Sequence, residues 1–142
     1  MNDPSNFRPI SLIPILGKVL EIILKTQICN HFEHNNLFNK DQFGFRRNSS
    51  TTLAINRLSD IVLNAFENKE YAHALCLDLT KAFDCVSHSL LLKKLAYYNL
   101  DNSCIKLLES YLHERKQFVH FNNVNSSCLT VQQGVPQGSV LG

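Results

Sequence analysis

The sequence has no apolar run of 18 or more residues. A membrane-spanning helix needs about 20 mostly apolar residues, so we expect neither a membrane span nor a membrane partner. The first six residues also lack the basic and apolar regions of a secretory signal. We therefore expect an intracellular protein, in the nucleus or the cytoplasm. The most apolar stretch, residues 10–28, is interrupted at several positions: Ser11, Pro14, Gly17, Lys18, Glu21 and Lys25.

Paired cysteines are also missing. The five cysteines are an odd number and include no C-x-x-C pair, which argues against a disulfide framework and against a zinc knuckle. Among the six histidines, His31 and His34 are the one pair at helical spacing, with only Cys29 nearby. We expect these two to lie on a solvated helix face rather than to bind zinc.

The sequence also lacks a large net charge, since its net charge is only +2. Residues 1–59 carry seven Lys and Arg against four acids, whereas residues 60–142 carry seven against eight. This bias would suit phosphate groups held between a basic region and an acidic metal site, and solubility explains it equally well. With 142 residues, 44% of them hydrophobic, the chain is long enough for one domain with one core.

Hydrophobic periodicity predicts four helices. The first covers residues 14–35, the second is capped by Ser50 or Thr51, and residues 37–48 between them are irregular. The third begins after Ser87 and the fourth after Asp101 or Ser103.

The segment 72–79 alternates as a strand and ends at an acid, Asp78. A carboxylate at the end of a buried strand costs several kcal/mol unless it has a partner, and a divalent metal such as Mg²⁺ is the obvious one. Two interpretations of the strand stay open: a small-residue face beside a substrate cleft, or burial on both faces without a cleft. Small residues flank the acid on one face, and bulky ones lie on the other: Ala72, Ala74 and Cys76 against His73, Leu75, Leu77 and Leu79.

Residues 117–121 and 128–132 alternate as two strands joined by the turn-rich residues 122–127, which predicts a β-hairpin. Two glycines and a proline follow in residues 133–139. They exclude regular structure there, and glycine allows the backbone to approach a ligand closely.

Four segments, in this order, resemble the reverse transcriptase domain of non-LTR (LINE-type) retrotransposons: NFRPISL at 6–12, QFGFR at 42–46, LDLTKAFD at 77–84 and QGVPQGSVLG at 133–142. A single block could arise by chance, but four in the right order and spacing are specific. The resemblance implies an α+β fold that is part of a right-hand polymerase, with an antiparallel palm sheet packed on helices. Residues 1–70 would be a fingers-like region and residues 71–142 a partial palm, which together form one incomplete reverse transcriptase domain.

The implied activity is RNA-directed DNA polymerisation, in which deoxynucleotides are added to a primer 3′-hydroxyl. The implied partners are an RNA template, a DNA primer and a deoxynucleoside triphosphate, and the cofactor is Mg²⁺ with Mn²⁺ as an alternative. By resemblance, Asp78 is the first catalytic aspartate and a ligand of both metal ions, and the backbone carbonyl of Leu79 contacts the nucleotide-bound ion. Asp84 is left outside the metal site.

The resemblance also assigns nucleotide-binding residues. Phe83 matches the aromatic residue that excludes a 2′-hydroxyl, although an isolated Phe is more often a core residue. Arg8 matches the arginine that contacts the triphosphate. Arg46 would touch template or phosphate, with lower specificity, and either arginine could instead form a surface salt bridge. Gln137 and Gly138 match the element that packs on the sugar and the templating base, with a tight structural turn as the alternative.

The chain departs from the family because it contains no Asp-Asp pair, and no two of its acids are adjacent. One carboxylate cannot hold two divalent ions about 4 Å apart. We therefore expect the fragment alone to be inactive and to need the missing C-terminal palm and thumb segments of the full-length protein; a lysine-bearing fingers segment is expected upstream. The alternatives are a non-catalytic, decayed or domesticated RNA-binding remnant of a retroelement, and a group II intron-type maturase.

Overall fold

The computed structural model describes residues 10–141. Their contacts divide them into two compact units, one formed by residues 10–34 and 80–141 and the other by residues 35–79. The division into fingers and palm is a functional one and stays a prediction.

Four helices are present within residues 10–141, as the sequence predicts: α1 (Ile15–His34), α2 (Thr51–Glu67), α3 (His88–Tyr97) and α4 (Asn102–Leu112). Three of them begin at predicted capping residues. The side chains of Ser50, Ser87 and Asp101 accept hydrogen bonds from backbone N–H groups in the first turns of α2, α3 and α4. Each cap satisfies one of the N–H groups that a helix start leaves without an intrahelical partner.

The core of the first unit lies where α1, α3 and α4 meet. Leu24, Leu100 and Leu108 are its buried centre, and each is at most 8% exposed. Phe32 of α1 packs against Tyr98 beside this core, with 5.2 Å between the ring centroids. Burying a leucine side chain contributes roughly 1.5–3 kcal/mol, so this cluster fixes α1 against the other two helices.

A β-hairpin follows α4, as predicted, but its turn is tighter than the predicted loop 122–127. Asn122 and Asn123 both have positive φ, 47° and 60°, which is the backbone of a two-residue type I′ turn. Asparagine tolerates this conformation, so Val124 joins a strand instead of the loop. Within residues 10–141, four short strands form two antiparallel pairs, β1 with β4 and β2 with β3: β1 (Lys116–Gln117), β2 (His120–Phe121), β3 (Val124–Asn125) and β4 (Leu129–Thr130).

The predicted strand over 72–79 is wrong for this structure. Residues 71–79 have no regular secondary structure and are exposed throughout; Leu75 and Leu77, on the supposed packed face, are each 84% exposed. A strand needs hydrogen-bonded neighbours, and the strand pairs within residues 10–141 do not include this segment. Asp78 is therefore an exposed acid rather than one desolvated at the end of a buried strand.

The second unit combines α2 with the irregular segment that precedes it, as predicted for residues 37–48. The Asn39 side chain and carbonyl accept hydrogen bonds from the N–H groups of Asp41 and Gln42, which forms a turn. Arg57 of α2 contacts Asp41 at 3.2 Å and joins the turn to the helix. No residue of α2 is buried.

Crossing a bilayer takes a helix that is both long and strongly apolar, and residues 10–141 contain none.

Candidate nucleotide-binding and metal-binding site

The irregular loop 134–140 begins against the segment that contains Phe83. The Val135 N–H donates to the Phe83 carbonyl at 2.8 Å, and the Gly134 N–H donates to the Val86 carbonyl at 2.8 Å. Gly134 has a φ of +88°, and a Cβ at this position would lie 2.8 Å from the Asp84 carbonyl oxygen. Only glycine allows both the conformation and the close approach of the two backbones.

His88 also holds the start of loop 134–140. Its Nε2 lies 2.7 Å from the Gly134 carbonyl oxygen. Because a carbonyl oxygen can only accept, this imidazole nitrogen carries the proton.

The end of loop 134–140 is held from two other parts of the first unit. The Ser11 N–H donates to the Gln137 carbonyl at 2.9 Å. Gly138 has a φ of +85°, and a Cβ there would lie 3.1 Å from the Ile10 side chain. The Val140 N–H donates to Glu21 of α1 at 2.7 Å. A stretch without regular structure is thus fixed along its length by hydrogen bonds.

Three of the predicted nucleotide-binding residues consequently belong to one unit. Phe83 and Gln137 are half-buried and Gly138 is exposed. The bond from Val135 to the Phe83 carbonyl joins the Phe83 backbone to a residue two positions before Gln137. Arg8, the fourth predicted nucleotide-binding residue, lies outside the described residues.

Glu21 is a residue of this region that the sequence did not reveal as one. It is 0% exposed, and its Oε1 accepts a hydrogen bond from the Tyr111 hydroxyl at 2.6 Å. Burial, and secondly the bond to Glu21, raise the pKa of Tyr111. A signal for Glu21 existed, since it lies three positions before Leu24, the other buried residue of α1, and therefore on the same helix face.

The metal-binding residues predicted from the sequence, Asp78 and Leu79, belong to the second unit. The Leu79 N–H donates to Asp78 Oδ1 at 2.9 Å. Within residues 10–141, no three His, Cys, Asp or Glu side chains are grouped so that they could hold a metal ion. An exposed carboxylate with a neighbouring carbonyl offers the hard oxygen ligands that suit Mg²⁺, which keeps several of its waters. The convergence of Asp78 with Phe83 and Gln137 stays a prediction.

Arg46 takes part in contacts within the second unit. Its Nη1 donates to the Asn39 carbonyl at 3.2 Å, and its guanidinium carbon lies 5.3 Å from the centre of the Phe38 ring. These contacts give Arg46 a structural role, and its contact with nucleic acid stays a prediction.

His31 does not lie on a solvated helix face as expected. It is half-buried, and its Nε2 lies 2.8 Å from the Tyr98 carbonyl oxygen. The imidazole therefore joins α1 to the end of α3.

A cavity of about 350 Å³ lies in the first unit beside the start of α3. None of the predicted site residues within 10–141 lines this cavity, so we assign it no part in the site. Its polar lining comes from α3 and its cap, α4 and the chain after the hairpin: Ser87, His88, Ser89, Glu109, His113 and Gln132.

Comparison with known proteins identifies the family to which this chain is similar. A family model described as "Reverse transcriptase (RNA-dependent DNA polymerase)" matches residues 2–142. The "Probable RNA-directed DNA polymerase from transposon X-element" of Drosophila melanogaster is 39% identical over 140 residues. The "RNA-directed DNA polymerase from mobile element jockey" of Drosophila funebris is 40% identical over 140 residues. Each alignment covers 99% of this chain, which spans only 15% of the relative's length. No solved structure matches.

Proposed function

This chain belongs to the reverse transcriptase family, as a segment of the non-LTR (LINE-type) kind, and on that premise we propose that it is part of an RNA-directed DNA polymerase. The longer protein would add deoxynucleotides to a primer 3′-hydroxyl on an RNA template. The observation that carries this proposal is the family match over residues 2–142. Because the chain spans 15% of its relatives' length, the activity is proposed for the longer protein.

In this proposal the chain forms the fingers-like region and the first half of the palm of a right-hand polymerase. Helices combined with small antiparallel sheets support an α+β assignment of this kind. The residues of β1 to β4 are all exposed, which leaves both faces of the hairpin available for packing against further parts of a longer protein.

The nucleotide would be bound by Phe83, Gln137 and Gly138, together with Arg8. The hydrogen bonds that fix loop 134–140 support this assignment, because a rigid loop holds its ligand contacts in place without a further loss of entropy on binding. Phe83 would lie beneath the sugar and exclude a 2′-hydroxyl. The guanidinium of Arg8 would pair with the triphosphate, and the missing side chain of Gly138 would leave room for the base or sugar.

Asp78 and the Leu79 carbonyl would hold Mg²⁺, or Mn²⁺ in its place. The ion, when bound, would act as a Lewis acid on the reacting phosphate and make the primer hydroxyl a stronger nucleophile. Two such ions need more carboxylates than Asp78 alone provides, and the described residues offer no acidic cluster near it. We propose that residues 1–142 by themselves do not polymerise.

A chimeric polymerase tests the proposed function. Residues 1–142 would replace the matched segment of the jockey polymerase from Drosophila funebris, and primer extension on an RNA template would be measured. We expect the chimera to extend the primer, and the isolated chain to show no extension. Template binding without extension by the chimera, when the unmodified jockey protein is active, would contradict the polymerase assignment and favour a non-catalytic remnant.

Asp78→Asn in the same chimera tests the metal ligand. The amide keeps the shape of the side chain and removes its charge. Loss of a residue that only hydrogen-bonds to a metal ligand typically costs about 10–100-fold in activity, so loss of a ligand itself should lower the extension rate by at least about 100-fold. The matched control is Asp60→Asn, which removes an exposed carboxylate of α2. Equal extension rates for Asp78→Asn and Asp60→Asn would show that Asp78 is not a metal ligand.

A further inference from the structure

Glu21 is the fully buried acid of the described residues, at 0% exposure. Its two carboxylate oxygens accept one hydrogen bond each, from the Tyr111 hydroxyl at 2.6 Å and from the Val140 N–H at 2.7 Å. The carboxylate therefore joins three separated parts of the first unit, namely α1, α4 and the end of loop 134–140. Burying a carboxylate is costly unless hydrogen bonds compensate for its lost hydration, and these two bonds provide that compensation.

An acceptor at this position also serves stability, because the Tyr111 hydroxyl and the Val140 N–H would each lose a hydrogen bond without it. The carboxylate offers something an apolar side chain lacks, which is a directional, charge-assisted bond to the loop backbone. Val140 is two positions after Gly138, so this bond acts next to the residues proposed to contact the nucleotide.

Tyr111 keeps the carboxylate in one orientation. Its pKa is raised, chiefly by burial and then by the bond to Glu21, so the hydroxyl keeps its proton and remains a donor at neutral pH. The guanidinium carbon of Arg115 lies 5.1 Å from the centre of the Tyr111 ring. A cation over the ring face favours this ring position.

We propose that Glu21 is a positioning residue for the nucleotide-binding loop, because its bond to the Val140 N–H sets the placement of Gln137 and Gly138. Tyr111 acts through Glu21 and fixes its orientation. This inference rests on the proposed role of loop 134–140 in nucleotide binding. Neither Glu21 nor Tyr111 contacts the substrate itself.

Two substitutions of Glu21 separate positioning from stability. Glu21→Met keeps a similar length and removes both acceptors, so the Val140 N–H loses its partner while the core stays filled. Glu21→Gln keeps one oxygen for the Val140 N–H, and its amide can donate to the Tyr111 oxygen in return. The matched control is Glu109→Met, the same change at an exposed carboxylate of α4.

In the 142-residue chain, we measure hydrogen exchange at the Val140 amide together with the melting temperature. Glu21→Met is expected to speed exchange at Val140 about tenfold more than at the core amides of α4, as for the local loss of a hydrogen bond to a charged group, with a lower melting temperature because two donors lose their acceptor. Glu21→Gln, which keeps one neutral acceptor, should exchange more slowly than Glu21→Met, and Glu109→Met should exchange as the parent chain does. Unchanged Val140 exchange in Glu21→Met would overturn the proposal.

In the chimeric polymerase, steady-state kinetics give the second readout. Glu21→Met is expected to raise KM for the deoxynucleotide about tenfold and to change kcat by less than about twofold, with recovery in Glu21→Gln. A fall in kcat and melting temperature with KM unchanged would mean a structural role and overturn the proposal. If the parent chimera fails to extend a primer, the proposed function fails, whereas the exchange measurement still decides whether Glu21 holds the loop.

Discussion

Gly134 lies where two site segments approach each other closely. Its φ of +88° and the 2.8 Å that would separate a Cβ from the Asp84 carbonyl oxygen leave no room for a side chain. The sequence predicted that glycines in this stretch would let the backbone approach a ligand closely, whereas the close approach seen at Gly134 is to the backbone of the Phe83 segment. A single residue type thus decides whether the predicted site segments can meet.

Replacing Gly134 by alanine should therefore destabilise the first unit. A residue forced into an unfavourable backbone region costs about 1–3 kcal/mol, and the contact with Asp84 adds to this cost. We expect the free energy of unfolding, measured by urea denaturation, to fall by at least about 1 kcal/mol. Gly44→Ala is the matched control, since nothing lies within 4 Å of a Cβ there. Equal stability of the two variants would contradict the close approach.

The second prediction at the residue scale concerns Phe83. If its ring excludes the 2′-hydroxyl, Phe83→Val should open space beneath the sugar and increase ribonucleotide incorporation by the chimeric polymerase. Added or removed apolar bulk in a binding pocket changes discrimination by about 10–200-fold, so a rise of at least about tenfold is expected. Discrimination is measured as the ratio of kcat/KM for deoxynucleotides and ribonucleotides. Phe118→Val, at a 57% exposed position, serves as the control, and an unchanged ratio in Phe83→Val would argue for a plain core aromatic.

At the scale of secondary-structure elements, the positions where helices begin are the features that the local sequence predicts best. Asp101 begins α4, and its carboxylate accepts from the Ser103 N–H at 2.8 Å. This backbone bond is the main reason why the pKa of Asp101 is lowered from its usual 3.8. Leu108 and Leu112 lie on the buried face of the same helix, so the cap and the core stabilise α4 together.

The cap of α4 should make stability depend on pH in the acidic range. Because the pKa of Asp101 is lower in the folded chain, its contribution is present above the unfolded pKa of about 3.8 and is lost as the pH falls through the folded pKa. Asp101→Asn retains a capping side chain without the titration. The melting temperature of the parent chain should therefore fall relative to that of Asp101→Asn as the pH is lowered from 5 toward about 3. Parallel pH profiles would refute the role of the ionised cap.

At the scale of the whole molecule, burial is distributed unevenly between the two units. The buried leucines of the core belong to the first unit, whereas α2 of the second unit has no buried residue. Its apolar side chains remain accessible, with Ile55 at 62% and Phe66 at 68% exposure. Few buried contacts make a segment open locally at low cost in free energy.

We therefore expect the amides of α2 to exchange faster than those of α4, although α2 is the longer helix. The comparison is made by hydrogen exchange on the 142-residue chain under native conditions. Protection in α4 should approach that of global unfolding, and protection in α2 should be lower by at least about tenfold. Equal protection would show that α2 is stabilised by more than its own backbone bonds. In a longer polymerase, further chain packed on this face should raise its protection.

The sequence by itself determined the features that depend on residues close to one another along the chain. The four helices, the caps at Ser50, Ser87 and Asp101, and the hairpin all follow from periodicity, side-chain hydrogen bonding and turn residues that act within a few positions. The ordered motifs likewise indicated the family, because they are properties of sequence alone.

Tertiary structure alone decided the features that depend on distant partners. The strand predicted over residues 72–79 is absent because an alternating pattern cannot supply a neighbouring strand. The role of Glu21 was not predicted because its hydrogen-bond partners, Tyr111 and Val140, lie 90 and 119 positions away along the chain. Burial and hydrogen-bond satisfaction are settled by whatever packs against a residue. In the sequence, Glu21 only interrupts an apolar stretch. In the folded chain, its carboxylate binds the Val140 N–H and thereby holds the end of loop 134–140.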